Sequence, residues 1–315
     1  MIDVTTSATR RFIGCDVGKS NIAVFDSAEN RGFALPNERE ALEAFAASLD
    51  ATCFVVCEAT GGHEAALLDA LAHAARAVHR ADARKVKAFI RSLGTLGKSD
   101  AIDARALARY AEERHDRLAL WQPREAVRDA LHVMVTTRRD LVAERVACAN
   151  RLAAPGSAPV AARLKRLHAA IEAEIAGLET DMAALIAANA PLQRAAKTLQ
   201  SIAGIGATTA IALLALMPEL GTLDRRKAAA LAGLAPHPRQ SGKTDAYRRT
   251  RRGRPDVKRL LFMAALSARR HNKTLKPFYE RLIANGKKPL VALTALMRKL
   301  VVSANARLQN SAQPI

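Results

Sequence analysis

The sequence predicts an α/β domain followed by a mostly helical remainder. Within residues 11–81, short apolar runs of strand length are separated by turn residues or by segments of helical pattern. From Glu125 onward, apolar residues recur at the three-four spacing of amphipathic helices. The chain of 315 residues is also too long for one small domain and fits two or three.

Five strands and four helices are predicted in the α/β domain. A three-strand meander comes first, and helices then alternate with strands. This order matches the ribonuclease H-like arrangement, in which the first and fourth strands lie side by side at the centre of the sheet. The predicted strands cover residues 11–16, 21–26, 32–35, 53–57 and 77–80, and the predicted helices cover residues 38–49, 63–75, 82–92 and 99–113.

Two long helices are predicted between Glu125 and Ala190. They are separated by residues 153–159, which contain two prolines and a glycine. This pattern indicates a helical hairpin, with a coiled coil as one form of it. We therefore predict three domains. They are residues 1–118, a helical linker over residues 119–190, and a basic, mostly helical domain over residues 191–315.

Near the start of the third domain, residues 199–206 resemble the turn of a helix-hairpin-helix. The segment Leu-Gln-Ser-Ile-Ala-Gly-Ile-Gly precedes an apolar helix. Gly204 and Gly206 would let backbone N–H groups approach a phosphate closely. A glycine turn is weak evidence alone, but this one lies at the edge of a basic block.

Composition excludes several classes of protein. Hydrophobic residues make up 50% of the chain and charged residues 25%, which is ordinary for globular proteins and excludes collagen-like or fully disordered chains. The four cysteines lack C-x-x-C spacing, so we expect neither a zinc site nor disulfides, and we expect a reducing compartment. Without a signal-peptide pattern or a long uninterrupted apolar stretch, we expect a cytoplasmic protein that binds no membrane.

Positive charge is concentrated in residues 221–300. This segment has 21 Lys and Arg against four acidic residues, so it carries +17 of the chain's net +19. Such a block indicates binding to a polyanion, because neutralising phosphates releases condensed counterions. A solubilising surface or an anionic-membrane patch is the alternative. Nucleic acid is favoured because the basic residues are interleaved with helical apolar periodicity and do not form a tail.

Four carboxylates carry the chemical signal of the first domain. Asp16 and Glu58 end the first and fourth predicted strands, and Asp100 and Asp103 lie one helical turn apart. Together they would hold a pair of Mg²⁺ or Mn²⁺ ions about 4 Å apart, as in phosphoryl transfer. Each has a structural explanation when taken singly, as a turn residue, a helix cap or part of a solvated face. Their joint order favours a metal site.

Short motifs then extend the pattern along nearly the whole chain. They are Gly14-Cys-Asp-Val-Gly-Lys19, Glu58-Ala-Thr-Gly61, Lys98-Ser-Asp-Ala-Ile-Asp-Ala104, Ser201-Ile-Ala-Gly-Ile-Gly206, Ala232-Gly-Leu-Ala-Pro236, Gln240-Ser-Gly242, Arg252-Gly253, Gly286-Lys287 and Met297-Arg-Lys-Leu300. The set resembles the insertion-sequence 110 family of DEDD transposases. Two departures are visible, since Ala203 replaces a usual proline and His63 a common tyrosine.

This resemblance implies a RuvC-like first domain and a C-terminal transposase domain. It also implies that Ser241 is a nucleophile on DNA phosphate, although the segment Pro238-Arg-Gln-Ser-Gly-Lys by itself is typical of a turn in a basic loop. His237 is a weaker candidate for a general base. The nucleic-acid-binding candidates are Gly204, Gly206, Arg239, Lys243, Arg248, Arg249, Arg251, Arg252 and Arg254.

The resemblance further implies a guide. Members of this family use a structured non-coding RNA, which is carried by the mobile element and pairs with donor and target DNA. We therefore expect an RNA-guided recombinase, acting as a dimer or tetramer of identical chains. Two alternatives stay open. One is a metal-dependent endonuclease resembling a Holliday-junction resolvase, and the other is a catalytically silent nucleic-acid-binding protein.

Overall fold

The structure is a computed structural model that describes residues 10–94, 100–123, 125–241 and 244–312. The chain forms two compact units, Met1–Arg124 and Glu125–Ile315. Each unit has its own hydrophobic core. The finer subdivision at residue 190 stays a prediction.

The first unit is built on a five-stranded mixed sheet of order β3-β2-β1-β4-β5. Strands β1, β2 and β3 are antiparallel neighbours, whereas β1, β4 and β5 run parallel. The predicted meander and the central pairing of the first and fourth strands are therefore confirmed. The elements are β1 Arg11–Val17, β2 Asn21–Asp26, β3 Arg31–Pro36, α1 Arg39–Ser48, β4 Cys53–Glu58, α2 Ala65–His73, β5 Ala77–Ala81, α3 Ala83–Ser92 and α4 Asp100–Arg114.

Successive side chains along β1 and β4 point to opposite faces of the sheet, and both faces are apolar. Ile13 and Cys15 belong to a core that α1 and α2 cover. Phe12 and Phe54 belong to a second core with α3 and α4. Since successive strand residues point to opposite faces, Gly14 and Asp16 share the face of Phe12.

At Gly14 the backbone of α4 approaches the backbone of the sheet closely. A Cβ on Gly14 would lie 2.0 Å from the carbonyl oxygen of Ala104 and 2.5 Å from the amide nitrogen of Ala108. At the other end of α4, the ring of His115 lies 5.0 Å from that of Phe12 between centroids. Helix α4 therefore runs antiparallel to β1, with its first turn at the carboxyl end of that strand.

The turn after β4 is held by the buried carboxylate of Glu64. This carboxylate accepts hydrogen bonds from the backbone N–H groups of Thr60 (3.1 Å) and Gly62 (2.9 Å) and from the guanidinium of Arg80 on β5. Gly61 and Gly62 both have positive φ, which side chains rarely tolerate. The tight turn delays α2 to Ala65, two residues later than predicted.

The second unit contains eight helices within its described residues. They are α5 Ala126–Ala153, α6 Ala161–Ala188, α7 Ala190–Gln200, α8 Ala207–Leu216, α9 Arg225–Leu231, α10 Pro255–His271, α11 Leu275–Ala284 and α12 Pro289–Ala312. Helices α5 and α6 form the predicted pair, and one core joins their residues Leu131 and Met182 to the later helices. Helix α8, apolar all round, lies in that core.

One element of the second unit was not predicted. Residues 236–250 form an antiparallel hairpin of β6 Pro236–Ser241 and β7 Thr244–Thr250, so the assignment of this segment to a loop is wrong. The register shifts between His237 and Arg239, around a proline that lacks an N–H group. The hairpin escaped prediction because its strands have charged and polar residues where alternating apolar ones would signal a strand.

A single described helix, Pro289–Ser311, is long and apolar enough to cross a membrane. Its residues Leu296 and Leu300 are fully buried in the core of the second unit. Core helices of this length pass the same test, so the finding is weak evidence for a membrane span.

We predict that Gly14→Ala destabilises the first unit by about 1–3 kcal/mol, because the new Cβ would collide with backbone atoms of α4. Gly32→Ala is the control, since its nearest neighbour would lie at 3.8 Å. Urea denaturation followed by Trp121 fluorescence measures the effect, because this is the only tryptophan of the chain and packs against the core of the first unit. Equal stability of the two variants would contradict the close approach.

We also predict a pH-dependent effect of Glu64→Gln. Burial alone would raise the pKa of Glu64, but the hydrogen bonds to backbone amides and to Arg80 outweigh it and lower the pKa from 4.5 to about 2. A depressed folded-state pKa stabilises the protein above the unfolded value, and this stabilisation disappears as the pH falls from about 5 to about 2.

The Glu64→Gln variant should therefore lose about 1.5–3 kcal/mol of stability at pH 7 and much less at pH 3. The same Trp121 fluorescence assay measures both values. Glu43→Gln, which removes an exposed carboxylate paired with Arg39, should change little at either pH. A loss that is the same at both pH values would contradict the charged state of Glu64.

Candidate active site

Asp16 and Glu58 lie side by side at the carboxyl ends of the two central strands. The parallel register pairs Gly14 with Val56 and Cys15 with Cys57, so the next step along each strand brings Asp16 beside Glu58. Both side chains are half-buried. Because they alternate with Cys15 and Cys57, they point to the face that α4 covers.

Helix α4 brings Asp103 to the same end and face of the sheet. Asp103 is half-buried and immediately precedes Ala104, whose carbonyl approaches Gly14. Asp16 lies two residues beyond Gly14, a rise of about 7 Å along the strand. The backbone of Asp100 begins α4 one turn earlier, but its side chain lies outside the described residues, as do Lys98 and Ser99 of the same motif.

Three side chains of the predicted quartet can therefore be described, and they come from two strands and a helix that meet at one end of the sheet. Their donors are all carboxylate oxygens, which suits hard cations such as Mg²⁺ and Mn²⁺. Within the side chains that can be described, no three acidic, His or Cys groups are close enough to hold a metal ion. The metal centre stays a prediction, with its fourth ligand undescribed.

The loops that follow the two strand-end acids are tied together by Asn37, a residue that sequence reasoning missed. Its side-chain amide donates to the carbonyl of Gly18 (2.9 Å), after β1, and to that of His63 (3.1 Å), after β4. Asn37 lies between a predicted strand and a predicted helix, where an asparagine is an ordinary cap or turn residue. Nothing in its local sequence indicates a contact with two distant loops.

The thiols of Cys15 and Cys57 lie on the opposite face of the central strands and are buried. Burial raises the pKa of Cys57 to about 12 and that of Cys15 well above its ordinary value. All four cysteines are buried free thiols. The raised pKa values favour the neutral thiols of Cys15 and Cys57, and both side chains pack in the core of the first unit.

Ser241 ends β6 at the tip of the hairpin in the second unit. In the register it faces Thr244, across a connection of two residues. The side chains of Arg239, Ser241 and Arg248 lie outside the described residues, and so does all of Lys243. The structure therefore fixes the position of Ser241 along the backbone and leaves its role a prediction.

The base of this hairpin is fixed by two glycines in contact. A Cβ on Gly253, after β7, would lie 2.1 Å from the amide nitrogen of Gly233, after α9. Gly233 (φ 69°) and Gly253 (φ 78°) both occupy the left-handed region. The motifs Ala232-Gly-Leu-Ala-Pro236 and Arg252-Gly253 therefore meet here, and their contact holds the two ends of the hairpin together.

The remaining predicted binding residues divide into two groups. Arg249, Arg251 and Arg252 are exposed near the base of the hairpin. Arg254 instead forms an ion pair with Glu219 (2.5 Å) and donates to the carbonyl of Leu216 (2.9 Å). These contacts give Arg254 a structural role at the start of α10.

The predicted phosphate-binding turn precedes α8. Gly204 (φ 107°) packs against α10, where a Cβ would lie 2.6 Å from that of Ala268, so packing explains this glycine. Gly206 is exposed and caps α8 without a side chain. Exposed backbone N–H groups at a helix start are compatible with phosphate binding, which stays a prediction.

Comparisons with known proteins identify the family. A sequence search finds no match among curated proteins. One family model, of DEDD transposases of the IS110 type, matches residues 13–154, which include all four predicted carboxylates. A second, described as the transposase IS116/IS110/IS902 family, matches residues 196–280, which include Ser241 and the hairpin. The two matches cover more than two thirds of the chain and confirm the resemblance, and the protein thus belongs to the IS110 family of DEDD transposases of mobile elements.

Proposed function

We propose that this transposase is an RNA-guided recombinase that cuts and rejoins DNA strands with a metal-binding acidic quartet and a serine nucleophile. The observation that carries the proposal is the antiparallel docking of α4 against β1. This docking puts the first turn of α4 at the strand ends that present Asp16 and Glu58. Acids distant in sequence thereby gather at one end of one sheet.

Asp16, Glu58, Asp100 and Asp103 would hold the metal. Bound Mg²⁺ or Mn²⁺ would supply electrostatic stabilisation of charge on the phosphate oxygens and lower the pKa of an attacking hydroxyl. The half-buried position of the described carboxylates supports this role, because electrostatic interactions are stronger away from bulk water.

Ser241 would perform the group transfer. Its hydroxyl oxygen would form a bond to phosphorus while the bond from phosphorus to one deoxyribose oxygen breaks. A nearby base would take the serine proton, and the departing deoxyribose oxygen would take up a proton and leave as a free hydroxyl. The phosphoserine ester retains the energy of the phosphodiester, so another DNA hydroxyl can displace the serine without a high-energy cofactor. This reversibility separates strand exchange from the hydrolysis of a resolvase-like endonuclease.

The proposed partners are donor DNA, target DNA and the element's own guide RNA, and the active form is a homo-oligomer in the bacterial cytoplasm, associated with the nucleoid. The basic segment of residues 221–300 supports nucleic-acid binding. The guide and the oligomer are carried over from the family.

We predict that Ser241→Ala abolishes covalent protein–DNA adducts and lowers strand exchange by at least about 10³-fold, because it removes the nucleophile. RNA and DNA binding should persist, because no charge is lost. Denaturing electrophoresis of labelled DNA after reaction with cognate RNA measures the adduct. Thr244→Ala, the register partner on the same hairpin, is the control for damage to the hairpin.

Three results would reject parts of the proposal. Cleavage by Ser241→Ala, or active wild type without a serine-linked adduct, would favour the resolvase-like mechanism. Strand exchange by protein freed of RNA would reject the guided mechanism and leave the serine chemistry untouched.

We predict that Asp103→Asn weakens Mn²⁺ binding at least about tenfold and blocks adduct formation, since it removes a carboxylate ligand. Mn²⁺ should raise the melting temperature of the wild type, because a ligand that binds the folded state stabilises it. Asp69→Asn, an exposed carboxylate on α2, is the matched control. Unchanged metal titration of Asp103→Asn, or wild-type activity in excess chelator, would reject the metal centre.

A further inference from the structure

A basic groove of about 740 Å³ opens in the second unit between α9, α11 and α12. Four cationic side chains line it, Arg225 and Arg226 from α9 and Arg298 and Lys299 from α12. None of the described residues that line the groove is acidic. The groove is therefore a concave surface with one sign of charge, which concentrates anionic ligands.

These cations are not neutralised by neighbouring acids. Within the described part of the chain, none of the four forms an ion pair. The ammonium of Lys299 instead lies 4.4 Å from the centroid of the Phe278 ring. Asp224, which precedes Arg225, is committed to Lys227 and to capping α9.

The floor of the groove is apolar. Leu275 and Phe278 of α11 and Val302 of α12 line it, and all three are half-buried. The site thus combines phosphate-neutralising cations at its rim with an aromatic and aliphatic surface beneath them.

We propose that this groove binds a single-stranded segment of nucleic acid, with phosphates on the four cations and at least one base against Phe278. A double helix presents its phosphates outward and keeps its base faces stacked, so it would leave the apolar floor in water. A single strand offers both a phosphate chain and free base faces. The inference rests on the proposed function, because strand exchange and a guide RNA both expose unpaired nucleotides.

The test measures the binding of full-length protein to labelled oligo-dT and oligo-rU of about 12 nucleotides at several salt concentrations. Removing two phosphate contacts in the double variant Arg298→Gln/Lys299→Gln should lower the slope of log affinity against log salt by about 1.4. Tighter binding of rU would assign the groove to the guide, and tighter binding of dT to the DNA substrate.

The matched control is Arg163→Gln/Arg166→Gln, which removes two exposed cations from α6 of the same unit. It should leave the salt slope unchanged. Equal slopes for the two double variants would overturn the proposal. Competition by poly-glutamate as strong as that by oligo-dT of equal charge would also overturn it, because the groove would then bind polyanions without regard to bases.

The base contact has its own measurement. Phe278→Leu keeps the apolar volume but removes the aromatic ring, and it should weaken binding at least about fivefold. Photocrosslinking of bromouracil-substituted DNA to wild-type protein should label the α11 peptide, and labelling elsewhere alone would overturn the proposal. Adduct formation by Ser241 is scored in parallel. If no adduct forms while the groove variants still change oligonucleotide binding as expected, the proposed function is rejected and the groove proposal is retained.

Discussion

The contact between Gly14 and the backbone of α4 is the constraint on which the first unit depends. A helix can lie this close to a strand only where the strand residue has no side chain. A Cβ added to Gly14 would lie 2.0 Å from the carbonyl oxygen of Ala104, so this position does not tolerate a larger residue without a shift of the backbone. The contact fixes the direction and the position of α4 together. It therefore decides where Asp103, one residue before Ala104, lies relative to Asp16, two residues after Gly14.

The loops around this end of the sheet are fixed by hydrogen bonds to backbone groups. Asn37 joins the loop after β1 to the loop after β4, and Glu64 holds the latter loop to Arg80 on β5. Strand ends fray unless their backbone groups are satisfied, and carboxylates at frayed ends would not keep a constant separation. Asn37 and Glu64 thus hold the loops that lie beside the predicted acids.

The sequence predicted those features of the fold that have a local periodic signal. The apolar runs of β1 and β4 and the three-four spacing of α5 and α6 identified their elements, and the order of strands and helices identified the sheet. The hairpin that carries Ser241 has no such signal, because charged and polar residues predominate in both strands and β6 also contains two prolines. The base of the hairpin is closed by the contact between Gly233 and Gly253, which are distant in sequence and cannot be paired from spacing alone.

For the candidate site, sequence reasoning proposed the acids, whose role stays a prediction, but not the residues that hold the loops beside them. Asp16 and Glu58 end apolar runs, a pattern visible in the sequence. The contacts of Asn37 and Glu64 depend on the tertiary fold, and their residue types are equally common in turns and helix starts. Arg254 was predicted to bind nucleic acid but forms an ion pair with Glu219. The sequence does not distinguish these two roles, because a basic residue in a basic segment looks the same in either.

The distribution of charge in the second unit follows from how its few acids are used. Within residues 221–300, Asp224 holds Lys227, Asp256 holds Arg259, and Glu280 holds Lys276. Every described acid of this segment is thus committed to a neighbouring cation, and Asp256 also pairs with Arg139 of α5. The excess of +17 has no internal counter-charge within the segment. Like charges held close together destabilise a compact unit, and an external polyanion such as a phosphate chain would neutralise them.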